Sequence, residues 1–342
     1  MEEVIRHIVN SLNNIPDRED CPNFSDKSYK PLKIDKNNFH FIKAISSNKK
    51  IAFIDGGNAE IIKAANFSLH IIRVYYNVYL KNKKLKSKKH QSYVFLNAVN
   101  KNNKINYEAE IFNNDLNLNK EDLIFDSFDS TLRTGIHRVI ISKIGEIARR
   151  FAELKLAEKL VEELDEGTII VMDRDLQASI TNEAKYFNLI YDKALKKDVT
   201  ITGLCKSSNI LTNNGNSINA LLNVIGPENP WFYHPIVEIT NENHKAEMFF
   251  IKLHEKSKHV FRFEIYDKQK ANAEEVLSLL SDNSNDPIFP GYPYGLIEAD
   301  RSARITNQEK EYQKTIFLAK IGRKLDSHLA AINAHDILDN II

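Results

Sequence analysis

The sequence predicts an α/β fold with a mixed sheet, additional antiparallel strands and C-terminal helices. Two short apolar runs, Ile51–Ile54 and Ile169–Met172, are each followed by an aspartate and have the pattern of buried strands. Residues 67–112 contain three stretches rich in aromatic and β-branched side chains, and residues 132–164 carry apolar side chains at helical spacing. This alternation of helix and strand indicates layered α/β packing with some parallel pairing.

The first part of the chain, residues 1–49, is polar and contains three prolines that interrupt long elements. A short helix is predicted over Glu2–Leu12. After the first buried strand, Phe67–Leu80, Ser92–Val99 and Ile105–Phe112 are predicted to form an antiparallel meander.

The segment between two of these strands, residues 81–90, contains six lysines. It is predicted to form a mobile hairpin tip, and two interpretations of its lysines stay open. They either solvate a loop and keep the sheet edge from pairing with another chain, or they contact phosphate groups.

The apolar stripe predicts a long helix over Leu132–Leu164, which Gly167 is placed to end. The second buried strand, Thr168–Asp173, follows directly. The pattern then predicts a helix over Asn182–Leu195 and a third short strand over Val199–Leu204.

The last third of the chain returns to a β pattern over residues 232–266, and a short helix is predicted over Ala271–Leu280. Three prolines exclude a helix from residues 286–293, which must be extended. A helical tail is predicted from about Asn307.

The composition is that of an ordinary globular protein, with 42% hydrophobic and 27% charged residues among 342. Lysine and arginine number 47 against 46 acidic residues, so a nucleic-acid surface would have to be a local patch. The two cysteines, Cys21 and Cys205, provide neither a disulfide framework nor zinc-ligand spacing. No apolar run approaches the roughly 20 residues that span a bilayer, and we predict a soluble cytoplasmic protein without a membrane partner.

The two buried strands each deliver an aspartate, Asp55 or Asp173, to the strand ends where ligands bind in α/β sheets. Two neighbouring carboxylates repel unless a cation lies between them, and oxygen ligands favour magnesium or manganese over zinc. Gly56 and Gly57 would let a ligand approach the backbone closely. The alternative is that each aspartate only begins a turn.

The long helix offers two glutamates, Glu146 and Glu153, which lie on roughly the same face two turns apart. Glu153 lies at the margin of the apolar stripe and so faces the boundary of the core. Most helix glutamates are solvated, however, and the spacing alone does not make either of them a ligand.

A third candidate region runs from Gly291 to Arg304, where a rigid turn leads into a short helix. Its polar residues are Tyr292, Tyr294, Glu298, Asp300, Arg301 and Arg304. The region is either a capped surface helix or a metal or phosphate site to which a tyrosine presents its hydroxyl.

Other catalytic signatures are weak or missing. His335 and Asp336 could form a base with its orienting acid, although a surface pair is the simpler interpretation. The sequence contains neither the P-loop of ATPases nor the Gly-x-Ser-x-Gly elbow of serine hydrolases.

Four stretches of sequence occur in the order found in NurA nucleases, and they span roughly residues 50–305. The stretches are Phe53-Ile-Asp-Gly-Gly57, Arg149-Arg-Phe-Ala-Glu-Leu-Lys155, Ile170–Gln177 continued by Thr181-Asn-Glu183 and Gly203–Ser207, and Gly291-Tyr-Pro-Tyr294 through Asp300. The chain therefore resembles the NurA family, archaeal nucleases that work beside the HerA translocase in DNA-end processing.

The resemblance implies an RNase H-like core that holds manganese, with magnesium as the alternative, and a homodimer that docks on the hexameric HerA ATPase. It also implies 5′-to-3′ exonuclease and single-strand endonuclease activity on DNA, used in end resection for double-strand break repair. The chemistry would be metal-assisted phosphodiester hydrolysis.

The resemblance also suggests roles for individual residues. Asp55 and Asp173 match the metal-binding aspartates of the family, and Glu153 resembles its helix carboxylate, with Glu146 as the fallback. Asp300 matches the final site position. The predicted catalytic residues are therefore Asp55, Glu153, Asp173, Asp300 and Tyr292, with Asp55, Glu153 and Asp173 as metal ligands. The predicted phosphate contacts are Lys206, Arg301 and Arg304.

The chain departs from the family pattern at four positions. Gly57 stands where serine is frequent and Arg174 where glycine is common. Gly295 replaces an expected proline, and Asp300 stands where many relatives have histidine. Asp300 thus exchanges a neutral ligand or proton donor for an anion, but none of these changes removes a carboxylate.

The predicted organisation is a polar N-terminal segment (1–49), a NurA nuclease domain (50–305) and a helical tail (306–342). Two other functions compete with the nuclease. The altered turns would also suit a non-catalytic adaptor that docks on HerA. Asp173-Arg-Asp175 resembles the first motif of haloacid-dehalogenase-like phosphatases, but Gln177 replaces the threonine or valine of that motif and Asp55 would have no role.

Overall fold

The computed structural model describes residues 1–12 and 20–322, whose contacts divide the chain into two compact units. The first unit contains residues 1–45 and 204–292, and the second contains residues 46–203 together with the chain from residue 293 onward. His335 and Asp336 lie outside the described residues. The domain boundaries predicted at residues 49 and 305 remain a prediction.

The described residues form strands and helices largely where the sequence predicts them. The strands are β1 (Tyr29–Pro31), β2 (Phe39–Phe41), β3 (Ile51–Lys63), β4 (Phe67–Leu80), β5 (Lys83–Lys101), β6 (Lys104–Phe112), β7 (Phe125–Asp126), β8 (Ile169–Met172), β9 (Thr200–Cys205), β10 (Trp231–Tyr233), β11 (Val237–Ile239), β12 (Ala246–Lys252) and β13 (Phe261–Tyr266). The α-helices are α1 (Glu2–Leu12), α2 (Lys143–Glu163), α3 (Glu183–Lys196), α4 (Ile218–Ile225), α5 (Ala273–Asp282), α6 (Tyr294–Ala303) and α7 (Asn307–Ile321).

The second unit is built on a mixed sheet. β3 pairs in parallel with β8 on one side and antiparallel with β4 on the other. β8 pairs in parallel with β9, and β4 to β7 continue as an antiparallel meander. Because parallel neighbours need a crossover, α2 and α3 connect the meander to β8 and β8 to β9. The α/β layering predicted from the sequence is present.

Helices cover both faces of β3. Side chains alternate between the two faces of a strand, so Gly56 faces one helix and Gly57 the other. Gly56 packs against Glu153 of α2, and Gly57 packs against Ala303 of α6. The part of β3 that extends past the end of β8 is therefore covered by α2 on one face and by α6 on the other.

The lysine-rich segment differs from its prediction as a mobile tip. β4 and β5 pair as far as Leu80 and Lys83, so only Lys81 and Asn82 form the turn, with φ angles of 46° and 62°. Positive φ at both central residues is typical of a type I′ turn, whose twist suits a hairpin. β5 thus begins at Lys83 and not at the predicted Ser92. The sequence did not reveal its first part because a strand that is polar on both faces shows no apolar alternation.

The long helix α2 begins at Lys143 and not at Leu132. Residues 127–142 instead form a loop in which Leu132 and Val139 are buried. These two residues are seven apart and therefore mimic one face of a helix. α2 ends at Glu163, and Gly167, with φ 76°, lies in the turn before β8.

The first unit contains an antiparallel sheet in which β10 pairs with β2 and β12, and β12 also pairs with β13. β1 and β11 form a separate antiparallel pair. Its core contains the fully buried side chains of Trp231, Tyr233 and Phe250. In the described part of the chain, the search for a helix with the length and apolarity of a membrane span finds none.

Candidate metal centre

Asp55 and Asp173 follow equivalent positions of two neighbouring parallel strands. Ile54 of β3 is the partner of Met172 of β8, and the next amide, that of Asp173, donates to the carbonyl oxygen of Ile54 at 3.1 Å. β8 ends at this point while β3 continues. The two aspartates therefore lie side by side at the carboxyl end of β8.

Asp300 reaches the same place from α6. One carboxylate oxygen from each of Asp55, Asp173 and Asp300 lies within 4.8 Å of the other two. Asp55 is only 8% exposed, and the other two aspartates are half-buried. The amide of Gly56 donates to Oδ1 of Asp55 at 2.7 Å, and Arg304 donates to Oδ2 of Asp300 at 2.5 Å.

The three aspartates fit a hard divalent cation. Carboxylates at this separation repel one another, and a cation between them removes the repulsion. All three donors are oxygen atoms, which is the donor set that magnesium and manganese prefer. Each donor also comes from a different element, so the fold and not one flexible loop brings them together.

Two glycines let α6 lie directly on β3. A Cβ at Gly57 would lie 2.4 Å from the carbonyl oxygen of Ala303, and one at Gly295 would lie 2.1 Å from the ring of Phe53. Close-packed interiors do not accommodate such contacts without moving the neighbour. Gly57 and Gly295 therefore set the distance between α6 and β3, and with it the approach of Asp300 to Asp55.

Glu153 lies by the opposite face of β3. Its Oε1 is 2.3 Å from the position that a Cβ of Gly56 would occupy, whereas Asp55 faces α6. The buried Glu153 carboxylate accepts a hydrogen bond from Arg149, which also lies 3.5 Å from the carbonyl oxygen of Gly56. Glu153 is thus next to the strand that carries Asp55 but outside the group that converges within 4.8 Å among the described residues. Its role as a metal ligand stays a prediction, while the fallback Glu146 is exposed.

A buried charge cluster holds the segment that follows Asp173. The Glu183 carboxylate accepts hydrogen bonds from Arg150, from Arg174 at 2.6 Å and from the amide of Ser179 at 2.9 Å. Burial alone would raise the pKa of Glu183, but the charges of Arg174 and Arg150 outweigh it and lower the pKa. Arg174, which departs from the family pattern, is therefore an ion-pair partner that fixes this segment.

The remaining predicted site residues occupy different places. Tyr292 belongs to the first unit, where it is buried among aromatic rings. Lys206 belongs to the same unit and is exposed after β9. Arg301 and Arg304 are exposed at the end of α6. The catalytic role of Tyr292 and the phosphate-binding roles of the other three stay predictions.

The charge cluster around Glu183 could not be anticipated from composition or spacing. Its members come from α2, from the segment after β8 and from the first residue of α3. The only signal in the sequence is that Arg150, Arg174 and Glu183 all fall within the stretches shared with NurA nucleases.

One protein family matches most of the chain. The model of the NurA domain matches residues 49–305. The chain belongs to the NurA family. The match includes Asp55, Glu153, Asp173 and Asp300, so the whole candidate centre lies within the NurA domain. No curated protein sequence matches the chain.

The fold of the chain is similar to that of a solved NurA nuclease. The NurA nuclease from Sulfolobus solfataricus matches with a TM-score of 0.54 at 16% identity, covering 95% of this chain and 94% of that one. A Ciona intestinalis endonuclease V bound to DNA matches with a TM-score of 0.41 at 12% identity, over 76% of this chain and 87% of that one. The catalytic domain of human endonuclease V matches with a TM-score of 0.38 at 11% identity, over 80% and 86%. The NurA match confirms the predicted α/β fold with an RNase H-like core, a mixed sheet and C-terminal helices.

Proposed function

We propose that the chain is a metal-dependent deoxyribonuclease that hydrolyses phosphodiester bonds, with manganese as the metal and magnesium as the alternative. The observation that carries the proposal is the convergence of Asp55, Asp173 and Asp300 within 4.8 Å in a chain of the NurA family. The Sulfolobus solfataricus relative is itself a nuclease, which supports the same activity here.

The residues of the chain contribute the fixed geometry of the site. Asp55 is held by the amide of Gly56, and Asp173 is held by its bond to Ile54. Asp300 is held on α6 by Arg304. A divalent cation bound by these carboxylates would supply Lewis-acid activation of water and of the scissile phosphate. Since the ligands are positioned by the fold, little reorganisation accompanies the reaction.

Phosphate recognition would fall to the exposed arginines at the end of α6. Arg301 follows Asp300 directly in sequence, and Arg304 lies one turn further on. A guanidinium can hold a phosphate by two parallel hydrogen bonds, which orients the group as well as attracting it. Glu153, which is bonded to Arg149 beside the opposite face of β3, is the fourth carboxylate proposed as a ligand.

We also propose the finer activities that the family implies. They are 5′-to-3′ exonuclease and single-strand endonuclease activity, exerted by a homodimer together with HerA in end resection for double-strand break repair. Family membership is the support for these statements.

The substitution Asp173→Asn tests the proposed function. The unmodified protein should degrade single-stranded DNA with manganese, and the variant should be at least about 100-fold slower because a charged ligand is lost. Manganese should raise the melting temperature of the unmodified protein but not that of the variant. Asp192→Asn, the same change on an exposed residue of α3, is the control. Full activity of Asp173→Asn, or no degradation by the unmodified protein alone and with HerA, would count against the proposal.

A further inference from the structure

Residues 127–142, here called the edge loop, connect β7 to α2 within the second unit. α2 leads through a short turn into the first residue of β8. A crossover helix runs back along the sheet, so α2 begins toward the carboxyl end of β8. The edge loop therefore lies at the same edge of the sheet as Asp173.

Hydrogen bonds fasten the edge loop to the segment that follows Asp173. The hydroxyl of Thr181 donates to Oδ2 of Asp129 at 2.9 Å, and the amide of Thr181 donates to the hydroxyl of Thr131 at 3.2 Å. Thr181 in turn lies two residues before Glu183, the centre of the buried charge cluster. The edge loop is thus bonded to the segment that connects Asp173 to the charge cluster.

The edge loop is firmly anchored on its inner side. Leu132 and Val139 are buried, and their carbonyl oxygens accept hydrogen bonds from Nζ of Lys143 at 2.8 Å and from the hydroxyl of Tyr107 at 2.6 Å. An ordered loop with these anchors holds its outer side chains in place. Its outer surface is therefore a defined surface for binding.

That outer surface is unusually apolar. Ile136 is 85% exposed, Ile140 is 66% exposed and Phe128 is 46% exposed. Single exposed apolar side chains are common on protein surfaces, but three large ones belong to this one loop. The edge loop thus presents apolar area to a partner.

Cations are interleaved with these apolar residues. Arg133 and Arg138 are exposed, and no carboxylate of the described residues lies within ion-pair distance of either. The two nearby acids are engaged elsewhere, since Asp126 accepts from the amide of Phe128 and Asp129 accepts from the amide of Thr131, both at 2.8 Å.

An exposed apolar side chain and an exposed cation of the edge loop lie against each other. The guanidinium of Arg138 lies 5.2 Å from the centre of the Phe128 ring. An exposed aromatic ring beside a guanidinium is the combination on which nucleic-acid bases stack while the neighbouring phosphate is neutralised. A single strand of nucleic acid offers both kinds of group at once, a base for the exposed ring and phosphates for the two arginines.

We propose that the edge loop binds a single strand of nucleic acid at the edge of the sheet where Asp173 lies, with Phe128 stacking on a base and Arg133 and Arg138 contacting phosphates. The proposal rests on the proposed nuclease function, because that function supplies the reason for a strand to lie at this edge. It adds a binding surface outside the three aspartates and α6.

The test measures binding separately from cleavage. Fluorescence anisotropy with a labelled oligo(dT) is recorded in the Asp55→Asn background, so that the probe stays intact. Phe128→Ala should weaken binding about 5- to 100-fold, the range for loss of one stacked base. Arg133→Gln with Arg138→Gln should reduce the slope of log affinity against log salt by about 1.4, the value for two phosphate contacts on a single strand.

Controls and a rescue variant separate stacking from damage to the fold. Phe128→Trp keeps an aromatic surface and should restore binding. Phe112→Ala removes another exposed aromatic side chain, and Lys256→Gln with Lys258→Gln removes two exposed cations of the first unit. These control variants should bind within about twofold of the background protein, which is well under the loss expected for one stacked base.

Two results would overturn the inference. One is that the Phe128 and arginine variants bind oligo(dT) with unchanged affinity and salt slope. The other is that Ile136→Ser with Ile140→Ser changes the oligomeric state in solution while Phe128→Ala leaves DNA affinity unchanged, which would assign the edge loop to contacts between copies. The nuclease proposal is judged separately, by cleavage and manganese binding of Asp173→Asn.

Discussion

The amide of Asp173 donates a 3.1 Å hydrogen bond to the carbonyl oxygen of Ile54. This bond extends the parallel pairing of β3 and β8 by one residue beyond the end of β8. It keeps Asp173 level with Asp55, although the two residues are distant in sequence. Main-chain pairing thus sets the relative position of the Asp55 and Asp173 backbones from which the two carboxylates extend.

Asp55→Asn distinguishes a nuclease from an adaptor. The amide side chain has nearly the same size but lacks the charge that a cation site requires, so cleavage of single-stranded DNA should fall at least about 100-fold. The effect of the protein on HerA ATPase activity should stay unchanged, because docking does not need the carboxylate. For an adaptor, the unmodified protein would not cleave DNA and the substitution would alter neither measurement.

Asp300→His restores the residue found in many relatives and should introduce a pH dependence. A histidine binds a cation only when neutral, and its ordinary pKa is about 6.5. Cleavage by the variant should therefore decline as the pH falls through about 6.5, the ordinary histidine pKa, while the unmodified protein retains activity further into the acid range. Rates measured against pH with manganese check this. Superimposable profiles would indicate that residue 300 does not contact the metal.

Gly57→Ser should disturb the seating of α6. The new Cβ would lie 2.4 Å from the carbonyl oxygen of Ala303, and backbone atoms do not yield as flexible side chains do. Overpacking of this kind costs about 1–3 kcal/mol of folding free energy. Urea unfolding should show that loss, and the rise in melting temperature with manganese should shrink because Asp300 is displaced. Ala59→Ser is the control, because residue 59 lies on the same face of β3 and already carries a Cβ. It should leave the unfolding free energy and the manganese-dependent rise in melting temperature nearly unchanged.

Glu183→Gln should destabilise the protein by about 3–5 kcal/mol, because it leaves the enclosed guanidinium of Arg174 and the partly exposed Arg150 without their counter-charge. The folded-state pKa of Glu183 is lowered from 4.5, so its stabilising contribution is present above pH 4.5 and is lost as the pH falls through the folded-state pKa. The difference in unfolding free energy between the unmodified protein and Glu183→Gln should therefore become smaller below pH 4.5. Urea unfolding at several pH values measures it, with Glu242→Gln, an exposed glutamate, as the control. A constant difference down to the most acid pH would contradict an ionised Glu183.

Much of the fold is predictable from local pattern. The runs before Asp55 and Asp173 are short, apolar and abruptly ended, and both are strands in the structure. The predicted starts of β5 and α2 were wrong because the apolar pattern of these segments does not match their secondary structure. The lysine-rich part of β5 is solvated on both faces, and the edge loop contains buried anchors at helical spacing although its backbone is not helical.

The candidate site is less predictable because it depends on which face of an element a residue occupies. The pairing of β3 with β8 follows from the strand pattern, and family resemblance pointed to Asp300. Spacing could not show that Glu153 lies by the opposite face of β3 from Asp55, since that depends on how α2 packs. Tyr292 and Asp300 are eight residues apart in sequence but belong to different compact units.

The close contact of α6 with β3 determines how long the side chain at position 300 must be to approach Asp55. Aspartate is a shorter side chain than the histidine of many relatives, so it can meet Asp55 only if its helix lies nearer the strand. Gly57 and Gly295 remove the two side chains that would hold the helix away. Three of the four departures from the family pattern therefore compensate one another, because the closer approach of α6 to β3 offsets the shorter side chain of Asp300. A side chain at either glycine would move Asp300 away from Asp55 and Asp173, whereas a histidine at position 300 introduced together with it would span the wider gap.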